Sequence, residues 1–174
     1  GDRILKSPVD RFDTFPEEMA IELFGGDDGD SIVKLETFAD RLFVFKKNTL
    51  HILNIAKDVE ILESSHKGMG LDGGVPCQAC LTRNGIAWIN SNGAYHYDGK
   101  NIESLTDGKI DSLWKGKTSN HIDQNTSQTA FWLSNSADVP SIGYDTESNK
   151  LIIHKVSTSD GSDQEDILIY DMKI

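Results

Sequence analysis

Long apolar runs are missing from this sequence, and so is any surplus of positive charge. No stretch approaches the roughly 20 apolar residues that a membrane-crossing helix needs. The opening "GDRILKSPVD" has no apolar core of the kind a secretory signal carries. Lysine and arginine number 17 against 28 aspartates and glutamates, a net charge of -11. Phosphate contacts need clustered Lys and Arg, so this balance argues against nucleic acid as a partner. Anionic membrane surfaces would repel such a chain, which leaves the membrane out too. Two cysteines, Cys77 and Cys80, are too few for a disulfide scaffold in 174 residues. Sustained 3.6-residue periodicity is absent, so long helices are not expected.

Catalytic signatures are scarce as well. No G-x-S-x-G supports a nucleophile elbow. The five histidines, His51, His66, His96, His121 and His154, show no H-x-H or H-E-x-x-H spacing. "GMGLDGG" is glycine-rich but lacks the strand-turn-helix setting of a phosphate loop, and reads as a connector. Cys77-Gln78-Ala79-Cys80 lacks the second pair a zinc ribbon requires. It falls inside what reads as a strand, where positions i and i+3 point to opposite faces, so both cysteines are expected to be buried and structural. Asp27, Asp28 and Asp30 form an acidic loop with oxygen ligands, the one candidate cation site; it lacks the later Glu of an EF-hand and reads first as a solvated turn. No cofactor is expected.

Short strand patterns fill the space those absences leave. Residues 1–31 read as an irregular entry segment, in which "PEEMAIELF" suits a short helix or an edge strand equally. From Ser31 onward, "SIVKLETFA", "RLFVFKKN", "TLHILNIAKD" and "VEILESS" follow one another with turn residues between them. "VPCQACLTRN", "GIAWINSN", "GAYHYDGK" and "NIESLTDG" repeat the arrangement. "DSLWKGKTSNHIDQNTSQ" is polar and loop-like. "TAFWLSNS", "SIGYDTESN", "KLIIHKVS" and "DILIYDMKI" complete the chain, with "TSDGSDQED" a solvated hairpin tip before the last.

A shift of 44 residues sets Leu42-Phe43-Val44-Phe45 on Ile86-Ala87-Trp88-Ile89, and a second sets Trp88 on Trp132. With a small insertion near Val139-Pro140, Tyr97-Asp98 meets Tyr144-Asp145. A period in the forties with four short strands is the sequence pattern of a β-propeller blade. The expected fold is therefore all-β: propeller-like four-stranded antiparallel blades, about three repeats, over units 32–75, 76–119 and 120–174 of one repeat domain (32–174). A β-sandwich is the alternative. Strands such as "LFVF" that fail to alternate suit sheets covered on both faces. Trp88, Trp132, Tyr97 and Tyr144, repeated at matched positions, are expected to be inter-repeat core. The missing initial Met, and a last strand with no turn after it, are what a piece of a longer protein would show.

The segments "IVKLETFADRLFVFKKNTLHILNI", "GVPCQACLTRNGIAWINSNGAYHYDGKNIESLTDGKIDSLW" and "IGYDTESNKLIIHK…ILIYDMK" together resemble virion structural proteins of tailed bacteriophages, of tail-tube or tail-completion type. The resemblance spans roughly Phe12 to Met172 and rests on turns and strand edges. It implies a tail-associated component of the virion that is not an enzyme and assembles with other tail proteins or with copies of itself. A second reading keeps a receptor- or glycan-binding propeller module, with exposed aromatics beside amides such as Asn90 and Asn92. A third, a propeller hydrolase, needs carboxylates that converge in a central funnel.

Overall fold

A computed structural model describes residues 3–22, 29–57, 59–111, 114, 140–155 and 166–172. The chain is all-β, with antiparallel sheets of four, four and three strands. A two-stranded ribbon, β1 (Arg3–Ile4) with β2 (Ile21–Glu22), precedes them. The first sheet is β3 (Ile32–Phe38), β4 (Arg41–Lys46), β5 (Thr49–Asn54) and β6 (Ile61–Lys67), in chain order. The second is β7 (Ala79–Thr82), β8 (Gly85–Asn90), β9 (Gly93–Tyr97) and β10 (Ile102–Ser104), again in order. The third is β11 (Ser141–Asp145), β12 (Lys150–Lys155) and β13 (Asp166–Asp171). "PEEMAIELF" contains both expected elements in short form: a 3-10 turn over Glu17–Met19, then β2.

Local chemistry explains the up-and-down order. Two-residue turns join β3 to β4, β4 to β5, β7 to β8 and β8 to β9, which forces neighbouring strands to pair antiparallel. Carboxylate or amide side chains then fold the backbone back after a strand. Asn54 Oδ1 accepts from the Ala56 N–H (3.0 Å), Asp98 Oδ1 from those of Lys100 and Asn101 (2.8 and 2.7 Å), and Asp145 Oδ1 from that of Glu147 (3.0 Å). Gly85 is required where β8 begins: a Cβ there would lie 1.6 Å from the Tyr97 carbonyl oxygen.

The sheets are covered by one another through alternating side chains. Phe43, Phe45, Leu50 and Ile52 leave one face of the first sheet and meet Ala79, Ile86, Trp88 and Tyr97 of the second. Val44 and Leu53 leave its other face and meet Ile4 and Ile21 of the ribbon. This is why "LFVF" is apolar throughout: neighbouring residues enter different cores. From the second sheet, Ala87, Ile89 and Ala94 face Ile142, Leu151 and Ile153 of the third. Burial of this kind contributes roughly 1.5–3 kcal/mol per large apolar side chain.

The 44-residue step carries β4 onto β8 and β5 onto β9, strand for strand. A second step carries β8 onto residues 129–134, which lie outside the described residues. Leu151 and Ile153 of β12 face the preceding sheet, as Ile86 and Trp88 of β8 do. β11 lies against β7 and the Pro76–Gln78 turn, and the Lys34 ammonium donates to the Ala79 carbonyl (2.6 Å). Tyr97 on β9 and Tyr144 on β11 each face the preceding sheet.

Candidate functional site

The aromatic residues picked from the repeat sit as follows. Trp88 is fully buried, 5.6 Å from the Phe45 ring edge-on and 5.6 Å from the Tyr95 ring in a stacked pair. Tyr97 is buried against Phe43 at 4.9 Å, and its hydroxyl donates to the Gly99 carbonyl (2.9 Å). Tyr144 is half-buried against the second core, and its hydroxyl donates to Asn149 Oδ1 (2.5 Å). Trp132 lies outside the described residues. The third tryptophan, Trp114, falls in the segment read as a polar loop, yet it is fully buried in the second core and donates from Nε1 to the Asn90 carbonyl (2.9 Å).

Asn90 and Asn92, the amides that would flank an exposed aromatic site, hold loops together. Buried Asn90 donates from Nδ2 to the carbonyls of Gly68 and Gly70 (3.0 and 2.9 Å), and its Oδ1 accepts from the Asn92 and Gly93 N–H groups (2.9 and 3.2 Å). Asn92 Nδ2 also donates to Gly68 (3.0 Å). All four hydrogen-bonding positions of the Asn90 amide are engaged, a structural use of the side chain.

Asp30 is buried, and its Oδ1 accepts from the backbone and side-chain amides of Asn48 (2.9 and 3.3 Å), which ties the entry to the β4–β5 turn. Asp27 and Asp28 lie outside the described residues. Among the described residues no group of three or more His, Cys, Asp or Glu is placed to hold a metal. Both cysteines are free thiols. The expectation that both are buried is corrected for Cys77: the strand begins only at Ala79, and Cys77 sits exposed in a 3-10 turn started by Pro76. Cys80 is half-buried on β7, and burial pushes its thiol up to about 11, away from a reactive thiolate.

The concave feature of interest is a cleft of about 600 Å³ between the second and third sheets. The second sheet contributes Thr82, His96 and Glu103, and the third contributes Tyr144 and Tyr170. Turn residues Arg83, Asn84 and Asp98, with Asp171 at the end of β13, form its rim. His96 Nε2 and Thr82 Oγ1 are 3.1 Å apart. Burial lowers the imidazole pKa against the opposing pull of Asp98 and Glu103, so His96 is neutral at pH 7. The Asp98 carboxyl is held below its usual range by the Asn101 and Lys100 N–H groups. The Arg83 guanidinium donates to the Thr146 carbonyl, which links the β7–β8 and β11–β12 turns across the cleft mouth. Lys109 Nζ lies 2.9 Å from the Tyr170 hydroxyl and 5.3 Å from its ring centre.

Sequence reading passed over this cleft. Its trace lies in residue size and polarity at the 44-residue step: Phe38 becomes Thr82 and Ile52 becomes His96, and both successors line the cleft. No known family model matches the chain, and no curated protein matches it in sequence.

Proposed function

We propose that this chain is a non-enzymatic structural component of a tailed-phage virion, tail-associated, and that it works through protein–protein assembly. In this reading the three sheets are consecutive blades of a propeller-like repeat, and its partners are other virion or tail proteins or further copies of the chain. The resemblance of the strand and turn motifs to virion proteins supplies the class. One structural observation favours assembly: the outer face of the third sheet. Ile152, Ile169 and Ile167 on that face are 37, 64 and 55% exposed, while Ile142, Leu151 and Ile153 on the alternate rows are buried. The first two sheets have both faces covered, and the third repeats the same apolar alternation with one face open to solvent. A further sheet of the same repeat suits that face in chemistry and spacing.

Mass spectrometry of purified virions tests the reading. The tryptic peptide Asn84–Lys100 is expected at a stoichiometry matching known tail proteins in particles from a host carrying the gene. Its presence in the host lysate and absence from density-purified particles would refute a virion role.

A further inference from the structure

We infer that the cleft between the second and third sheets binds a neutral oligosaccharide. Its position in the repeat is the first ground. The matching space between the first and second sheets is filled by Phe43, Ile52 and Tyr97, with Phe38 packed edge-on to Tyr97 at 6.5 Å. Between the second and third sheets Thr82 and His96 stand where Phe38 and Ile52 stand one step earlier, and about 600 Å³ stays open beside them. An interface able to close with aromatic rings, and closed that way one step earlier, is here left open.

Lining chemistry sets the ligand class. Phenol rings of Tyr144 and Tyr170 offer apolar surface for the C–H face of a pyranose. The Glu103 carboxylate offers an acceptor; the Arg83 guanidinium and the Asn84 amide offer donors. A sugar hydroxyl donates and accepts at once, so it suits a wall that mixes both. Charge disfavours the anionic class: Asp98 and Glu103 outnumber Arg83, and burial keeps His96 neutral, so an anionic sugar is repelled. The same balance attracts a cation, which makes a cationic peptide the competing ligand.

Sugar binding and a place in a virion are separate properties, and a chain absent from virions gives the same titration. The intact chain is applied to a printed array of neutral oligosaccharides, and the strongest trisaccharide is titrated by calorimetry at pH 7. Sialyllactose and a tetralysine peptide serve as charged controls. Binding to at least one neutral sugar is expected with a Kd below about 1 mM. Glu103→Ala is expected to weaken it about tenfold or more with unchanged thermal melting, while Lys67→Ala on the first sheet leaves it unaltered. Three outcomes overturn the inference: no neutral sugar bound, tetralysine or sialyllactose bound in preference, or sugar binding untouched by Glu103→Ala.

Discussion

The interface between the first and second sheets and the one between the second and third are built on matched strands, yet they close differently. At the first, four large side chains of one sheet meet Ile86, Trp88 and Tyr97 of the next, and aromatic contacts run continuously from Phe38 through Tyr97, Phe43 and Phe45 to Trp88 and Tyr95. At the second, Ala87 and Ala94 leave volume that the β strands alone do not fill. Trp114 arrives from outside the sheets to pack there, and a polar cleft opens elsewhere between the same two sheets. The same backbone repeat thus serves as a packed joint in one place and as a lined opening in the other. Side-chain volume at two or three matched positions decides which.

Copying the second interface onto the first should break the contrast most severely. Phe43→Ala places on β4 the residue β8 carries at the matched position. Trp114 packs in the other core, so a loss of about 3–5 kcal/mol is expected in urea unfolding. A loss below about 1 kcal/mol would mean that the first interface collapses as readily as the second. Gly85→Ala follows at about 3 kcal/mol, because the added methyl meets the Tyr97 carbonyl and the β8–β9 pairing must part to admit it. It strikes the second sheet itself, and so both interfaces together.

Much of the first two sheets was legible in the sequence, because short turns tie each strand to its neighbour and the step of 44 repeats turn chemistry as well as apolar pattern. Asn54 and Asp98 are the clearest case: one step apart, each caps the turn after its strand. The third sheet was harder to place. Tyr144-Asp145 copies the Tyr97-Asp98 turn and Tyr144 faces the preceding sheet as Tyr97 does, while the strand that the step puts before it, over residues 129–134, lies outside the described residues. Trp114 was hidden by its polar flanks, since a single buried anchor carries no periodicity. Cys77 was misplaced because Pro76 delays the start of β7. The cleft left only a faint mark: Thr82 and His96 in its lining, where Phe38 and Ile52 stand one step earlier.

Trp114→Phe sharpens the comparison from the other side. Phenylalanine keeps most of the apolar fill but gives up the hydrogen bond to the Asn90 carbonyl, an acceptor in buried surroundings. A loss of about 1–2 kcal/mol is expected. Trp88→Phe should cost less in hydrogen bonding, because the buried Trp88 N–H finds no acceptor among the described residues. Equal losses in the two variants, measured by thermal unfolding, would show that Trp114 acts by volume alone and that its bond adds nothing.

The smallest effect expected is that of pH, and it belongs to the open interface. His96 takes the place that Ile52 holds one step earlier, and burial lowers its pKa below the ordinary value of about 6.5 that it regains on unfolding. Between the folded and unfolded values the unfolded chain therefore binds more protons, so stability rises with pH across that window. The contribution is fully present above about pH 6.5 and declines as the solution is acidified toward the folded pKa. The other titratable groups are common to every variant, so the comparison to make is with His96→Gln, which cannot take up the proton. Wild type is expected to lose more stability than this variant between pH 7.5 and 5.5 in parallel urea titrations. Parallel curves would mean that the imidazole is as well solvated in the folded cleft as in the unfolded chain, and that the polar wall of the second interface is far more open to water than the burial of His96 implies.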